Sequence, residues 1–307
     1  MQRRLSRPVI SIGNLAVGGR AKTPITALVA ARLRDLGERP AILSRGYARR
    51  DAADGVVVVR DPQGIRADLD RAGDEPLMLA RQLDGVAVLA SASRYLAGRL
   101  AEHHFGSTVH VLDDGFQHFD LHRDGDIVVI GRADLEGSRT LPAGRLREPI
   151  DAAEAADVFI VLEDGLQASL ADLGRPIWLA RRRQGVARLA DAASTPVAPS
   201  AEPIVAVAGI AHPAGFFRDL KAAGWPVARE LPYRDHHRYT AADVTEIAGA
   251  ARAAGARLVL TTEKDLVRLL PFRPFGVPIA CVPMTVDIDP PGALDEWLMK
   301  ICRGAGG

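Results

Sequence analysis

The sequence has few cysteines and no long apolar run. Its two cysteines, Cys281 and Cys302, form neither a disulfide framework nor a metal-ligand spacing. Because such sparse cysteine usage suits a reducing compartment, we expect a cytoplasmic protein. No run of about 18 apolar residues is present, which excludes a transmembrane helix. The basic start, MQRRLSRPVISIG, has too short an apolar stretch for a signal peptide.

The sequence also lacks a charge excess of either sign. Lys and Arg number 39 against 38 Asp and Glu, which gives a formal net charge of +1 and no support for nucleic-acid binding. The 48% hydrophobic and 25% charged residues are typical of a globular protein. A chain of 307 residues is long enough for one large domain or two medium ones.

Apolar runs alternate with amphipathic segments along most of the chain. Strands apolar on both faces and separated by helices indicate an α/β fold, a parallel sheet covered by helices on both sides. In the first half we predict strands at 8–13, 40–46, 55–59, 86–91, 108–114, 126–131, 157–162 and 175–181. A helix is predicted over 23–39, with Leu28, Ala31 and Leu36 on one face. Another is predicted over 74–83, with Asp74 as its N-cap.

The alternation is interrupted once. Residues 181–203 collect Ala, Ser and Pro, which is typical of a domain junction. We therefore predict a larger α/β domain over 1–183, a linker over 184–203 and a smaller α/β domain over 204–307.

The segment AVGGRAKT (16–23) follows the first strand and opens the first helix. A glycine turn followed by Lys-Thr at a helix start is typical of a phosphate-binding loop, where backbone N–H groups and the lysine hold phosphates and the hydroxyl binds Mg²⁺. Ala21 stands where glycine is usual before the lysine, and its methyl group would crowd the phosphates. The alternative is a helix that begins after a glycine-rich turn. A Rossmann site is disfavoured, since G-x-G-x-x-G is missing.

A second polar pair follows another strand. VHVLDDGFQH (109–118) ends its strand with Asp113 and Asp114, which would face Lys22 across the carboxyl edge of the sheet and offer oxygen ligands to a metal ion. The alternative is an Asp-Asp-Gly turn that simply ends the strand.

Several motifs together give the chain a specific resemblance. It resembles the tetraacyldisaccharide 4'-kinase family, which phosphorylates the 4'-hydroxyl of a lipid disaccharide 1-phosphate in lipid A biosynthesis. The matching stretches are GNLAVGG and AKTP (13–24), LSRGY (43–47), GDEPLMLA (73–80), LDDGFQH (112–118), LPAGRLREP (141–149), AGIAHPAGFF (208–217), DHHRYT (235–240) and TTEKD (261–265).

The resemblance implies a set of site residues for ATP and Mg²⁺. The nucleotide would be held by Gly18, Gly19, Arg20, Ala21, Lys22, Thr23 and Pro24. The metal ion would be held by Thr23, Asp113, Asp114 and Glu148. Both sets would lie where phosphoryl transfer needs charge neutralisation.

The resemblance also implies the catalytic and substrate residues. Asp74 would be the base toward the sugar hydroxyl, His236 would assist it, and Lys22 would act on the transferred phosphate. Without the family, Asp74 reads as a helix cap and His236 as a solvent-facing residue. The substrate would be contacted by Arg94, Arg147, His118 and Arg45. Because Asp74 and His236 fall in different halves, we expect the two domains to close during the reaction.

The chain departs from the family pattern at its start. Family members usually carry a longer N-terminal segment with a membrane-docking helix, whereas seven residues precede the first strand here. We therefore expect peripheral contact with the cytoplasmic face of the inner membrane through another surface, and no obligate protein partner.

Two alternatives to the kinase stay open at this point. One is a degenerate nucleotide-binding or regulatory module without phosphoryl transfer. The other is a GTPase, although TTEKD lacks the spacing of an N/T-K-x-D motif.

Overall fold

The apolar runs form two sheets, and the amphipathic segments form the helices that pack on them. A computed structural model describes residues 2–17, 21–47, 49–50, 55–136, 139–191 and 194–304. The predictions on Gly18, Gly19 and Arg20 lie outside the described residues.

The elements of the first half are β1 (Val9–Gly13), α1 (Lys22–Asp35), β2 (Pro40–Ser44), β3 (Val57–Asp61), β4 (Gly64–Ile65), α2 (Leu69–Ala72), α3 (Asp74–Gln82), β5 (Ala87–Ala90), α4 (Arg94–Phe105), β6 (Val109–Asp113), β7 (Gly125–Ile130), α5 (Arg132–Leu135), β8 (Val158–Val161) and β9 (Ile177–Gln184). Short 3-10 helices span Ile150–Ala155 and Leu166–Leu173.

The elements that follow are β10 (Ala187–Leu189), β11 (Pro196–Val197), β12 (Ile204–Ala208), α6 (Pro213–Ala222), β13 (Val227–Pro232), α7 (Ala241–Ala253), β14 (Leu258–Thr262), α8 (Glu263–Leu269), β15 (Ile279–Val282), β16 (Met284–Asp289) and α9 (Ala293–Gly304). A 3-10 turn spans Leu270–Phe272.

The larger sheet has the order β16-β9-β8-β7-β1-β6-β2-β5-β3-β4. The strands from β9 to β5 pair in parallel, and β3 and β4 add an antiparallel edge. The predicted α/β fold with a parallel sheet is therefore confirmed. In this sheet β1 lies beside β6, with Ile12 in register with Asp113. The loop after β1 and the aspartate pair after β6 consequently share one carboxyl edge, where ligands of open α/β sheets bind.

Helix α1 differs from its predicted extent and face. It ends at Asp35 because Gly37, with a φ of 91°, takes the chain out of the helix. Its buried apolar residues are Ile25, Val29, Ala30 and Leu33, whereas Leu36 is exposed. The predicted Leu28–Ala31–Leu36 face was wrong. The helix has apolar residues on more than one face, and the face that is buried carries the β-branched Ile25 and Val29.

The chain divides into two compact units. The first contains residues 1–182 and 286–307, and the second contains residues 183–285. The expected first boundary near residue 183 lies close to this division. The expected linker differs, because it contains strands β10 and β11 of the second unit.

The last segment of the chain also differs from the expected division, since it belongs to the first unit. Helix α9 packs on α1, where Arg32 Nε donates to Asp295 Oδ1 at 2.8 Å. Trp297 of the same helix meets Trp178 edge-to-face at 6.2 Å. These contacts explain why the C-terminal helix joins the first unit rather than the second. Among the helices of the described residues, none combines the length and apolar character needed to cross a membrane.

The second unit has a sheet of its own, in the order β11-β10-β15-β14-β12-β13. Strands β13, β12, β14 and β15 pair in parallel, and β10 and β11 are antiparallel. The carboxyl ends of β13, β12 and β14 therefore lie side by side.

Candidate active site

The loop after β1 leads into the N-terminus of α1, which carries partial positive charge. Ala21 is the N-cap of α1 and has φ 58° and ψ 6°, the left-handed conformation that usually requires glycine. Lys22, Thr23 and Pro24 form the first turn, which contains no acidic residue. Since Pro24 has no N–H to leave unsatisfied and the exposed N–H groups carry partial positive charge, this terminus suits an anion.

Lys22 is held at the centre of this edge. Its side chain is buried, and Nζ donates to Asn14 Oδ1 at 2.8 Å and to Asp114 Oδ1 at 2.6 Å. The lysine therefore has a fixed position next to the turn, with a carboxylate as its counter-ion.

Four further contacts close a ring of hydrogen bonds around this ion pair. Arg147 donates from Nη1 to Asp114 Oδ1 at 3.1 Å and from Nη2 to Asp114 Oδ2 at 3.2 Å. Arg147 Nη1 also donates to Gln117 Oε1 at 3.1 Å, and Gln117 Nε2 donates to the Asn14 carbonyl at 3.0 Å. Asp114 thus lies between two cations. Burial alone would raise the pKa of Asp114, but Lys22 and Arg147 outweigh it and hold this pKa below its usual value.

Asp113 is in the opposite electrostatic condition. Its carboxylate is 4% exposed and accepts a hydrogen bond from Thr26 Oγ1 at 3.1 Å. Burial, together with the charges of Glu75 and Asp114, raises the pKa of Asp113 to about 7. Burial is the largest cause, so the ionised form of Asp113 is disfavoured in the protein alone, and a bound cation would stabilise it.

The described residues contain no group of three or more His, Cys, Asp or Glu side chains that could hold a metal ion. Mg²⁺ does not need one, because it binds through one or two carboxylates and completes its shell with water and phosphate oxygens. Asp113 and Asp114 therefore fit such an ion. Glu148 has a buried Oε1 without a hydrogen-bond partner in the described part of the chain, which leaves that oxygen available as a ligand.

A second cationic group surrounds Arg94 at the start of α4. Arg94 is 5% exposed, donates from Nη1 to the Ala92 carbonyl at 3.2 Å, and has a buried Nε without a partner among the described residues. Burial and the charge of Arg45 lower the pKa of Arg94 to about 10. Burial and the charge of Arg94 in turn lower the pKa of His118. Arg45, Arg94 and His118 are thus close enough to repel one another, as expected of a site for an anion.

Asp74 is the first residue of α3 rather than its N-cap, so the predicted cap was wrong by one residue. Gly73, with a φ of 83°, takes the cap position. Asp74 is 5% exposed, and its Oδ1 accepts the N–H of Glu75 at 2.9 Å. The carboxylate is therefore buried at a helix N-terminus, where the backbone N–H groups carry partial positive charge.

His236 belongs to the second unit, whereas the other predicted site residues belong to the first. It lies in the loop after β13 with a φ of 55°, and its Nε2 is 3.1 Å from Lys264 Nζ. Lys264 is part of the TTEKD segment.

Sequence reasoning missed four residues that contact the predicted ones. Asn14 directly follows β1, Thr26 lies one turn after Lys22, Gln117 lies inside the DDGFQH motif, and Glu75 follows Asp74. The available signal was that Asn14, Glu75 and Gln117 lie within the same motifs and that Thr26 lies two residues after one of them. Their polar side chains gave no indication of which charged group each would meet.

A parallel sheet with Lys-Thr at the start of the helix after one strand, and an aspartate pair after the neighbouring strand, defines a P-loop kinase-like protein. Comparisons with known proteins make this class specific. Residues 1–303 match the family model for "Tetraacyldisaccharide-1-P 4'-kinase". The chain therefore belongs to the tetraacyldisaccharide-1-P 4'-kinase family, which confirms the resemblance of its motifs.

Individual relatives agree with this assignment. The chain is similar to a tetraacyldisaccharide 4'-kinase of Anaeromyxobacter dehalogenans (strain 2CP-C), with 42% identity over 87% of this chain and 74% of the relative. It is 35% identical to that of Desulfotalea psychrophila over 97% of this chain and 88% of the relative. A crystal structure of LpxK from Aquifex aeolicus in complex with ATP matches with a TM-score of 0.80 and 30% identity, covering 98% of this chain and 90% of that one.

Proposed function

We propose that this chain transfers the γ-phosphate of ATP to the 4'-hydroxyl of tetraacyldisaccharide 1-phosphate. The observation that carries the proposal is the ring of Lys22, Asn14, Gln117, Arg147 and Asp114, next to the buried Asp113. Family membership supplies the reaction, and this arrangement supplies the charges that phosphoryl transfer requires.

The nucleotide would lie against the N-terminus of α1. The ammonium group of Lys22 is already paired with Asp114. A phosphate oxygen would therefore replace one anionic partner of Lys22 by another, and no hydrated lysine would have to lose its water. Arg147 would stay on Asp114 during this exchange and keep that carboxylate in place. Thr23, in the first turn, would offer its hydroxyl on the same side.

Mg²⁺ would be held by oxygens of Asp113 and Asp114, with Thr23 and Glu148 as further ligands. The ion would neutralise charge on the transferred phosphoryl group. The raised pKa of Asp113 supports this assignment, because a carboxylate surrounded by other acids gains most from a divalent cation.

Asp74 would act as the base and His236 would assist it. The oxygen of the 4'-hydroxyl forms a bond to the γ-phosphorus, the bond from that phosphorus to the bridging oxygen of ADP breaks, and the hydroxyl proton passes to Asp74 Oδ. The hydrogen bond from the Glu75 N–H to Asp74 Oδ1 would orient this carboxylate for that step.

Arg94, Arg45 and His118 would bind a phosphate of a substrate. The buried Nε of Arg94 supports this assignment, since an unpartnered guanidinium N–H in a cationic pocket gains a strong charge-assisted bond from a phosphate oxygen.

The apolar part of the substrate would contact the rim of the same sheet edge. Large hydrophobic side chains are exposed in the segments that follow the carboxyl ends of β1, β2, β5, β6 and β7, namely Val17, Tyr47, Leu96, Phe119 and Leu141. We call these five residues the apolar rim. Exposed apolar residues around a binding edge are typical of surfaces that contact lipid, so we propose that the rim contacts the acyl chains at the membrane surface.

The test is to incubate the purified chain with labelled ATP, Mg²⁺ and the disaccharide 1-phosphate. We expect a bis-phosphorylated lipid, and none when Lys22→Met replaces the wild type. Nucleotide binding without any product would instead support a nucleotide-binding module. Product made equally well from GTP would contradict the preference for ATP.

A further inference from the structure

Three motifs of the second unit meet at one edge of its sheet. AGI begins at the last residue of β12, DHHRYT follows β13, and TTEKD spans the end of β14. These three strands are parallel neighbours. The proposed transfer uses only His236 from this edge. The contacts among the three motifs show what the remaining residues do.

Asp265 is the centre of these contacts. It is fully buried, and its Oδ1 accepts the hydroxyl of Tyr239 at 3.1 Å and Arg268 Nη1 at 3.2 Å. Its Oδ2 accepts the N–H of Gly209 at 3.0 Å and Thr262 Oγ1 at 2.7 Å. One carboxylate thus joins all three segments, and Arg268 balances its charge.

Gly209 adapts the first segment to this carboxylate. Its N–H binds Asp265, and its carbonyl accepts Arg268 Nη1 at 2.9 Å, so the Asp–Arg pair fixes both sides of one residue. A Cβ at this position would lie 2.9 Å from Asp265 Oδ1 and 3.3 Å from the Tyr239 hydroxyl. Glycine is therefore what lets the loop after β12 approach the pair.

Tyr239 connects Asp265 to the loop that contains His236, because its hydroxyl donates to that carboxylate. Its ring packs edge-to-face on His237 at 5.0 Å and on Tyr233 at 5.1 Å. His236 itself has a φ of 55°, an uncommon conformation for a residue with a side chain, which persists only where the surroundings hold it.

Lys264 contacts the imidazole directly. Its Nζ lies 3.1 Å from His236 Nε2, and since an ammonium group can only donate, Nε2 is the acceptor and the ring proton is on Nδ1. Adjacent residues of TTEKD therefore hold the ring of His236 and, through Tyr239, the loop that carries it.

We propose that TTEKD is the positioning element of the second unit: Lys264 orients the imidazole of His236, and Asp265 fixes the His236 loop through the Tyr239 hydroxyl. The proposal rests on the role given to His236 in the proposed function. Neither Lys264 nor Asp265 is assigned contact with the reacting atoms.

The test compares two equivalent substitutions in one aromatic cluster. Tyr239→Phe removes the hydroxyl that binds Asp265, and Tyr233→Phe removes a buried hydroxyl that has no hydrogen-bond partner in the described part of the chain. We expect Tyr239→Phe to lower kcat about fivefold to thirtyfold with both KM values within about twofold, the effect of one lost buried hydrogen bond at a positioned group. Tyr233→Phe should leave kcat unchanged.

Combination with His236→Ala separates positioning from a merely structural role. If Tyr239 acts through His236, Tyr239→Phe should cause no further loss of kcat in the His236→Ala background. Lys264→Met should likewise cause no further loss of kcat in the His236→Ala background. This substitution leaves the buried Asp265–Arg268 pair intact. A multiplicative loss in the double variants, or a Tyr239→Phe enzyme as active as Tyr233→Phe, would overturn the proposal. A fully active His236→Ala enzyme would instead reject the role of His236, and the positioning proposal with it.

Discussion

Asp113→Asn should make the ligand-free protein more stable while removing its activity. Asp113 is 4% exposed, and its pKa is raised from 3.8 to about 7 by burial and by the charges of Glu75 and Asp114. Each pKa unit corresponds to about 1.4 kcal/mol, so the ionised carboxylate costs the folded state about 4 kcal/mol at high pH. Asparagine is uncharged, and it keeps the side-chain oxygen that accepts the hydrogen bond from Thr26 Oγ1.

The sign of the pH dependence follows from the protons bound. Between about pH 4 and pH 7 the unfolded chain has released the proton of Asp113, whereas the folded chain still holds it. The wild type therefore loses stability as pH rises through this window, and the variant does not lose this contribution. The stability advantage of the variant should grow by about 2–3 kcal/mol between pH 5 and pH 8.

Thermal unfolding in EDTA at the two pH values measures this difference. For a unit of this size, about 1 kcal/mol changes Tm by roughly 2–4 °C, so the gain in Tm at pH 8 should exceed that at pH 5 by several degrees. Phosphoryl transfer by the same variant should fall, because one carboxylate offered to the cation is lost. A variant less stable than the wild type at pH 8, or a gain independent of pH, would refute the reasoning.

Three further predictions test other parts of the site. Ala21→Gly should raise the free energy of unfolding by about 1 kcal/mol, because the left-handed backbone at this position suits glycine. The same substitution should lower KM for ATP or raise kcat. Unchanged kinetic constants would contradict the idea that the Ala21 methyl group crowds the phosphates. Asp74→Ala should lower kcat by about 10²–10⁴ with the Kd for ATP unchanged, whereas an equal loss of ATP affinity would indicate a structural role. Replacing Leu96 and Phe119 of the apolar rim by Ser should weaken sedimentation with anionic lipid vesicles. Leu36→Ser, which changes an exposed leucine at the other end of α1, is the control and should bind as the wild type does.

The strand pattern of the first unit was predictable because its strands are buried on both faces. The predicted strands lie within a few residues of β1, β2, β5, β6, β7 and β8. Runs of Val, Ile, Leu and Ala between helical segments leave little alternative to a parallel sheet. Strand β13 gives no such signal, because its sequence, VARELP, is largely exposed and has no apolar run.

The site was predictable only where a motif fixes both the residue and its neighbour in space. Lys22 begins the helix that follows β1, and Asp114 follows the neighbouring strand β6, so their approach follows from the sheet order. The Gln117 bridge from Arg147 to Asn14 depends on a loop after β7 that returns to β1, and no local pattern encodes that return. The division of the chain was likewise hidden, since the packing of α9 on α1 joins residues far apart in sequence.

A crystal structure with Mg²⁺ and a non-hydrolysable ATP analogue would test the central claim most directly. We predict that the triphosphate lies at the N-terminus of α1 and that Lys22 Nζ leaves Asp114 for an oxygen of the terminal phosphate, with Arg147 still on Asp114. Lys22 still bound to Asp114 and Asn14, with the nucleotide elsewhere, would contradict the account.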